Sequence, residues 1–252
     1  MWRIEMKTKK TGKCDLGLEP IYQYDLPGGG AACGYCAMSA VYRYYGLDPE
    51  RLNVEALLGT QNSLPYNFPG RDTIESFFSN LGYGLEGTWP FDVLAVLHWH
   101  GFETELVSKN EDGLKGKIKE HLLSGHPILV LGWHFSHWLA ISGFDGNKLI
   151  ITDSTKSENV KESYDSFIGS DCDGLIFVSR SRKAKIRRMT TADFAKQYAR
   201  GTQFCLQVAG SKMGDILSLG GDKGTWAGNQ INNLFGYEEG TVVGNFINRI
   251  FG

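Results

Sequence analysis

The sequence has almost no net charge. Its 26 lysines and arginines nearly cancel 28 aspartates and glutamates, leaving a formal net charge of −2. That balance produces no field favouring nucleic acid or an anionic membrane surface, so no nucleic-acid partner is expected. Long apolar runs are missing as well. Nothing approaches the roughly 18 consecutive apolar residues that a bilayer-spanning helix needs. Residues 1–13 carry Arg3, Lys7, Lys9, Lys10 and Lys13 but no apolar stretch behind them, which excludes a secretory signal there. The expected location is cytoplasmic, with export by a route that uses no cleaved signal as the alternative. Cysteine is scarce and odd in number: Cys14, Cys33, Cys36, Cys172 and Cys205. Five scattered thiols in a chain of this length do not make a disulfide scaffold. No phosphate-binding P-loop is present either.

What is there is ordinary globular material. Hydrophobic residues make up 42% and charged residues 21% of 252 positions, enough to bury a full core in one or two domains. Residues 1–19 read as an irregular lead-in, and the Pro27-Gly28-Gly29-Gly30 run marks a loop. The apolar run Cys33 to Tyr45 then predicts a buried helix closed by Gly46. Asp72 and Glu75 form a capping-box pattern for a helix over 72–82, with Gly82 at its end. Further helices are predicted over 91–100 and 111–124, where Leu114, Ile118, Leu122 and Leu123 share a face. Strands are predicted over 102–108, 127–133, 137–144, 148–153 and 174–179, with a tight turn at Asp145-Gly146-Asn147. Helices first and an antiparallel meander afterwards give an α+β fold class.

The character changes after residue 182. Residues 183–207 are basic and then helical, and residues 208–252 are rich in glycine. The segment Gly224–Gly236 recurs as Gly240–Gly252, sixteen residues on. Each copy places apolar residues at helical spacing, Ile231, Leu234 and Phe235 in the first and Ile247, Ile250 and Phe251 in the second. Two readings of this C-terminal extension stand open. Its helices pack as a hairpin on the rest of the chain, or they dock a partner or a membrane, since spaced glycines let helices approach closely.

Cys33 stands where a glycine-rich loop gives way to an apolar helix. A helix N-terminus stabilises a thiolate through its unpaired N–H groups and dipole. Gly34 leaves room for a substrate carbonyl, and the preceding loop can aim N–H groups at an oxyanion. A cysteine in that position is often only a small core residue. Cys33 and Cys36 also form a C-x-x-C, which raises a dithiol redox site or half a zinc site. His134 and His137 are spaced so that their rings point to opposite faces of a strand, which disfavours zinc, and no metal or other cofactor is expected. His137 opens a predicted strand, and the hairpin brings the next strand back beside it. With 145–147 as the turn, residue 137 faces residue 155 and Asp153 lies close by across the ladder. A carboxylate there can fix the imidazole tautomer and stabilise its cation.

With these residues in place the chain resembles the papain-like cysteine peptidases, most of all the branch that includes the bacteriocin-processing, double-glycine peptidases. The likeness runs over about residues 20–180. It rests on CGYCAMSAVYRYYG, SGHPILVL, HWLAISGFDGNKLIITDS and SYDSFIGSDCDGLIFVS, in that order. It implies a papain-like catalytic domain over residues 20–182, between the lead-in and the extension 183–252. It implies a helical lobe carrying the cysteine against a sheet carrying His and Asp, and a peptide or protein substrate. It also implies roles: Cys33 as nucleophile, His137 as base, Asp153 as orienting acid and Gln23 as an oxyanion-hole side chain. Three positions depart from the pattern. Tyr35 and Ser154 stand where proline is common, and the Gly28–Ala32 loop separates Gln23 from Cys33 by more than usual. The frame C-G-x-C also matches classical papain with Cys36 as nucleophile, but the spacing to Gly46 favours Cys33. Amidase or deamidase chemistry, as in a secreted effector or toxin, uses the same fold. A non-catalytic peptide-binding relative and a dithiol oxidoreductase using Cys33 and Cys36 are the other readings. Leu219-Gly220-Gly221 resembles a double-glycine cleavage site within the chain itself.

Overall fold

The computed structural model describes residues 12–26, 32–54, 58, 88–133 and 136–217. In chain order the elements are β1 (Lys13–Asp15), a single 3-10 turn (Gln23–Asp25), α1 (Cys33–Tyr44), α2 (Pro90–Trp99), β2 (Glu103–Ser108), α3 (Leu114–Leu123), β3 (Ile128–Gly132), β4 (His137–Asp145), β5 (Lys148–Asp153), β6 (Val160–Ser163), a short helical segment over 164–171, β7 (Cys172–Ser179) and α4 (Thr191–Leu217). The fold class is α+β, as expected: a helical layer carrying Cys33 packs on an antiparallel sheet carrying His137 and Asp153. The helix expected over 72–82, the Gly28–Gly30 loop, the repeated tail helices and Leu219–Gly221 all lie outside the described residues.

The run Ile128-Leu-Val-Leu-Gly is buried at every position, so it must be covered on both faces. The sheet order provides this: β2-β7-β3-β4-β5-β6, with every pairing antiparallel. This departs from a plain meander, because β7 returns to lie between β2 and β3. The reason is burial. All of β7 up to Val178 is buried and belongs in the middle, whereas β6 alternates between half-buried and exposed and suits an edge. Period-two alternation divides the core. Leu129, Leu131, Trp138, Ala140, Ile176 and Val178 face α1, α2 and α4. Ile128, Val130, Leu139, Ile141, Leu175 and Phe177 face α3.

Two further segments complete this core, a strand where none was predicted and the helix expected within 183–207, which runs on to Leu217. Residues 13–15, inside the expected irregular lead-in, pair with the far end of β4. Gly143 permits that approach, since a Cβ there would lie 2.3 Å from the Cys14 carbonyl oxygen. α4 begins at a reciprocal cap, in which the Asp193 N–H donates to Thr190 Oγ1 and the Thr190 N–H to Asp193 Oδ2. The helix then buries Phe194, Tyr198, Phe204, Cys205 and Val208 in the core shared with α1 and α2. Tyr198 Oη donates to the fully buried Asp92 Oδ1 at 2.7 Å. Among the described residues no helix is long and apolar enough to cross a membrane.

Candidate active site

Cys33 opens α1, and no side chain caps that helix end; Ala32 occupies the N-cap. The positive end of the helix dipole therefore bears on the sulfur. Ten consecutive residues, Cys33 to Tyr42, are buried, which makes α1 the central helix of its layer. Gly34 has a packing role beyond leaving room for substrate: a Cβ there would lie 2.3 Å from Thr88 Oγ1. Thr88 in turn holds the sheet, its carbonyl accepting from Trp138 Nε1 at 2.8 Å.

His137 reaches its partner by a compensated register. The β4–β5 turn is two residues long, Gly146-Asn147, because Asp145 pairs with Lys148. That is one residue shorter than the turn read from the sequence, and a regular ladder would slip by one. An extra residue in β4, Ser142, opens a bulge between Ile141 and Gly143 and restores the register, so that Leu139 pairs with Asp153. The ladder ends at that pair, and His137 stands two residues beyond Leu139 on β4, on the same face as Asp153. His137 Nε2 and Asp153 Oδ1 are 2.8 Å apart, both groups buried.

Cys33 is the other group that acts on the ring, through hydrogen bonding and charge. Nε2 is taken by Asp153, so Nδ1 is the nitrogen left for the sulfur. Cys36 lies one helical turn along α1 and is 1% exposed. Burial, the largest single influence on His137, pushes its pKa down. Hydrogen bonds and charge interactions with Asp153 and Cys33 outweigh it and raise the value from 6.5 to about 9. For Asp153 burial pushes upward, and the hydrogen bonds from His137 and Thr155 overcome it and hold the carboxyl below its ordinary value.

Gln23 is buried against Ser154, the residue that follows Asp153. Its N–H donates to the Ser154 carbonyl at 2.9 Å, and its Oε1 accepts from Ser154 Oγ at 2.7 Å. The serine that departs from the family pattern is thus what orients the Gln23 amide, leaving Nε2 as its donor. Cys33, His137, Asp153 and Gln23 are all brought to one end of the sheet.

Two site residues escaped the sequence reading. Thr155 donates from its backbone N–H to Asp153 Oδ1 and from its hydroxyl to Oδ2, both at 2.9 Å. The Asp-x-Thr spacing of a side-chain turn was the available signal. Trp133 stacks on the His137 ring, centroids 4.7 Å apart and planes 11° from parallel, while remaining 41% exposed. It holds a φ of +50°, uncommon for a bulky residue. Its N–H donates to the Asp171 carbonyl at 3.0 Å, and the preceding Gly132 lets that carbonyl pass where a Cβ would meet it at 2.3 Å. No local pattern signals this residue. Among the described residues no cluster of three or more His, Cys, Asp or Glu is arranged to hold a metal ion. His134, weighed with His137 for zinc, lies outside them.

No protein-family profile matches this sequence, and no curated protein matches it. Similar chains are found among solved structures. One is a double glycine motif protease from an AMS/PCAT transporter in complex with the leader peptide, 17% identical with a TM-score of 0.43, covering 67% of this chain and 95% of that one. Another is the peptidase domain of Streptococcus ComA, a bi-functional ABC transporter involved in quorum sensing, 17% identical with a TM-score of 0.40, covering 65% and 99%. A third is a C39-like peptidase from Bacillus anthracis, 16% identical with a TM-score of 0.41, covering 67% and 98%. These structures are described as a double-glycine motif protease, a transporter peptidase domain and a C39-like peptidase, and the likeness by itself assigns this chain no activity.

Proposed function

We propose that this chain is a cysteine hydrolase cleaving a peptide or amide bond in a peptide or protein substrate. The observation that carries the reading is the single imidazole held between a buried carboxylate and a thiol at a helix N-terminus. A His137 pKa of about 9 favours the protonated ring at neutral pH, and so an imidazolium poised beside the sulfur. In the reaction the Cys33 sulfur attacks the carbonyl carbon, and the carbonyl π electrons move onto oxygen. The Gln23 amide donor, with its carbonyl tied down by Ser154, is suited to meet that oxyanion. Collapse of the intermediate breaks the C–N bond, and His137 gives its proton to the departing amine. The neutral ring then takes a proton from water, which attacks the thioester and releases the acid and the Cys33 thiolate. Asp153 keeps the ring in the tautomer and orientation both steps require.

The test is covalent labelling of the full chain with an epoxide inactivator directed at cysteine peptidases, followed by peptide mapping. The expected result is modification at Cys33, lost in His137→Ala. Modification at Cys36, or equal labelling in His137→Ala, would contradict the reading.

A further inference from the structure

A pocket of about 190 Å³ adjoins the site on the sheet face away from α1. That volume is below the range of drug-sized ligand sites and suits one long side chain. Trp133 and Asp153, the two residues that grip His137, both line it; none of its lining comes from α1 or the turn bearing Gln23. Its floor is apolar, made by Leu139, Ile151, Val160 and Phe167. The acids Glu162 and Asp171 line it too, against one exposed cation, Lys156.

Resting on the hydrolase reading, we infer that this pocket takes the side chain of a substrate residue on the leaving-group side of the scissile bond, and that this side chain is lysine or arginine. The side of the bond follows from the chemistry. His137 hands its proton to the departing amine, so the departing chain runs along the imidazole, and the pocket lies beyond the two residues that hold that ring. The identity of the side chain follows from the lining. An aliphatic stem lies on the apolar floor while its cation reaches the carboxylates. An acidic side chain would meet Glu162, Asp171 and Asp153, and a purely apolar one would cover carboxylates that outnumber the single cation, Lys156, in the lining. The Glu162 carboxyl is pushed above its ordinary value by burial and then by the charges of Asp171 and Asp153, with Lys156 opposing them. A second cation would relieve that repulsion. The exposed Trp133 indole adds a face for it.

The experiment titrates the full-length protein with argininamide and with its neutral isostere citrullinamide, following the Trp133 indole N–H by NMR. Argininamide is expected to bind at least about tenfold more tightly, the worth of one charge-assisted contact. Glu162→Gln with Asp171→Asn is expected to abolish the difference. Equal or undetectable binding of the two amides overturns the proposal. A second readout separates it from the hydrolase reading: digestion of a peptide library by wild type and Cys33→Ala, with new N-termini mapped by mass spectrometry. Cys33-dependent cleavage with lysine or arginine enriched at one fixed position after the bond supports the proposal, and such cleavage without enrichment overturns it. Selective argininamide binding with no Cys33-dependent cleavage leaves a basic-ligand pocket and overturns the hydrolase reading.

Discussion

At the scale of residues, the site works by opposing burial with hydrogen bonds. His137 is 5% exposed, and burial alone would favour its neutral form. Asp153 reverses that preference, so its loss has two separate effects. Asp153→Ala is expected to lower kcat/KM by about 10²–10⁴-fold, the usual scale for general acid–base groups. It should also move the alkaline limb of the pH–rate profile downward from about 9, because a raising influence on His137 is gone. A fall in rate without that shift would mean the carboxylate only fills space. Trp133 makes a sharper case, because its backbone and its ring act in opposite directions. Its φ of +50° suits glycine, whereas its indole shields the imidazole. Trp133→Gly is therefore expected to melt no lower than Trp133→Ala, while both lose activity and Trp133→Phe recovers part of it. Thermal melts beside kcat/KM for the three variants decide this. Cys33 was legible in the sequence because loop, thiol and apolar helix are contiguous. Trp133 was not, because its role arises from a stack across a bend and a carbonyl contact from Asp171.

At the scale of elements, the β4–β5 hairpin sets the distance between His137 and Asp153. The turn was read one residue too long, yet the offset it implied is found at Leu139 and Asp153, because the Ser142 bulge adds the residue back. Alternation and turn chemistry are local and could be read; a bulge depends on what packs against the strand and could not. Deleting Ser142 removes the compensation and slips one half of the ladder against the other, which sends alternate side chains to the wrong face. The deletion variant is expected to retain less than about 1% of wild-type activity even where circular dichroism shows a folded sheet, since a misplaced base forfeits about 10²-fold or more. Near-normal activity would contradict the assigned register. The position of β7 shows the same limit. Its apolar run predicts a buried strand, but only burial from both sides places it between β2 and β3.

At the scale of the whole molecule, the extension drawn at residue 183 from composition includes a helix that shares the central core. Removing residues 183–252 would strip Phe194, Tyr198 and Phe204 from α1 and α2. The truncated chain is expected to aggregate or to lose its cooperative melt, whereas a soluble, cooperatively folding product would show that α4 is dispensable. Histidines set the pH range of stability. Burial is the leading influence that lowers the pKa values of His98, His100, His121 and His126, His100 to about 4. Their contribution is lost as pH falls below 6.5, and that of Asp153 is lost further into acid. The raised value of His137 works in the other direction: its contribution is complete below 6.5 and disappears as pH rises to about 9. Urea unfolding between pH 4 and 9 is therefore expected to give greatest stability near pH 6.5, and His137→Ala is expected to flatten the alkaline side and, by releasing Asp153, to weaken the acid-side dependence as well.

The measurement closest to the central claim is an NMR titration of the His137 ring in wild type and in Cys33→Ala. The account predicts that His137 keeps its proton to about pH 9 in wild type and loses it at lower pH once the sulfur is gone. A midpoint near 6.5 that Cys33→Ala leaves unchanged would show that the thiol and the imidazole do not act on each other, and the hydrolase reading would be contradicted.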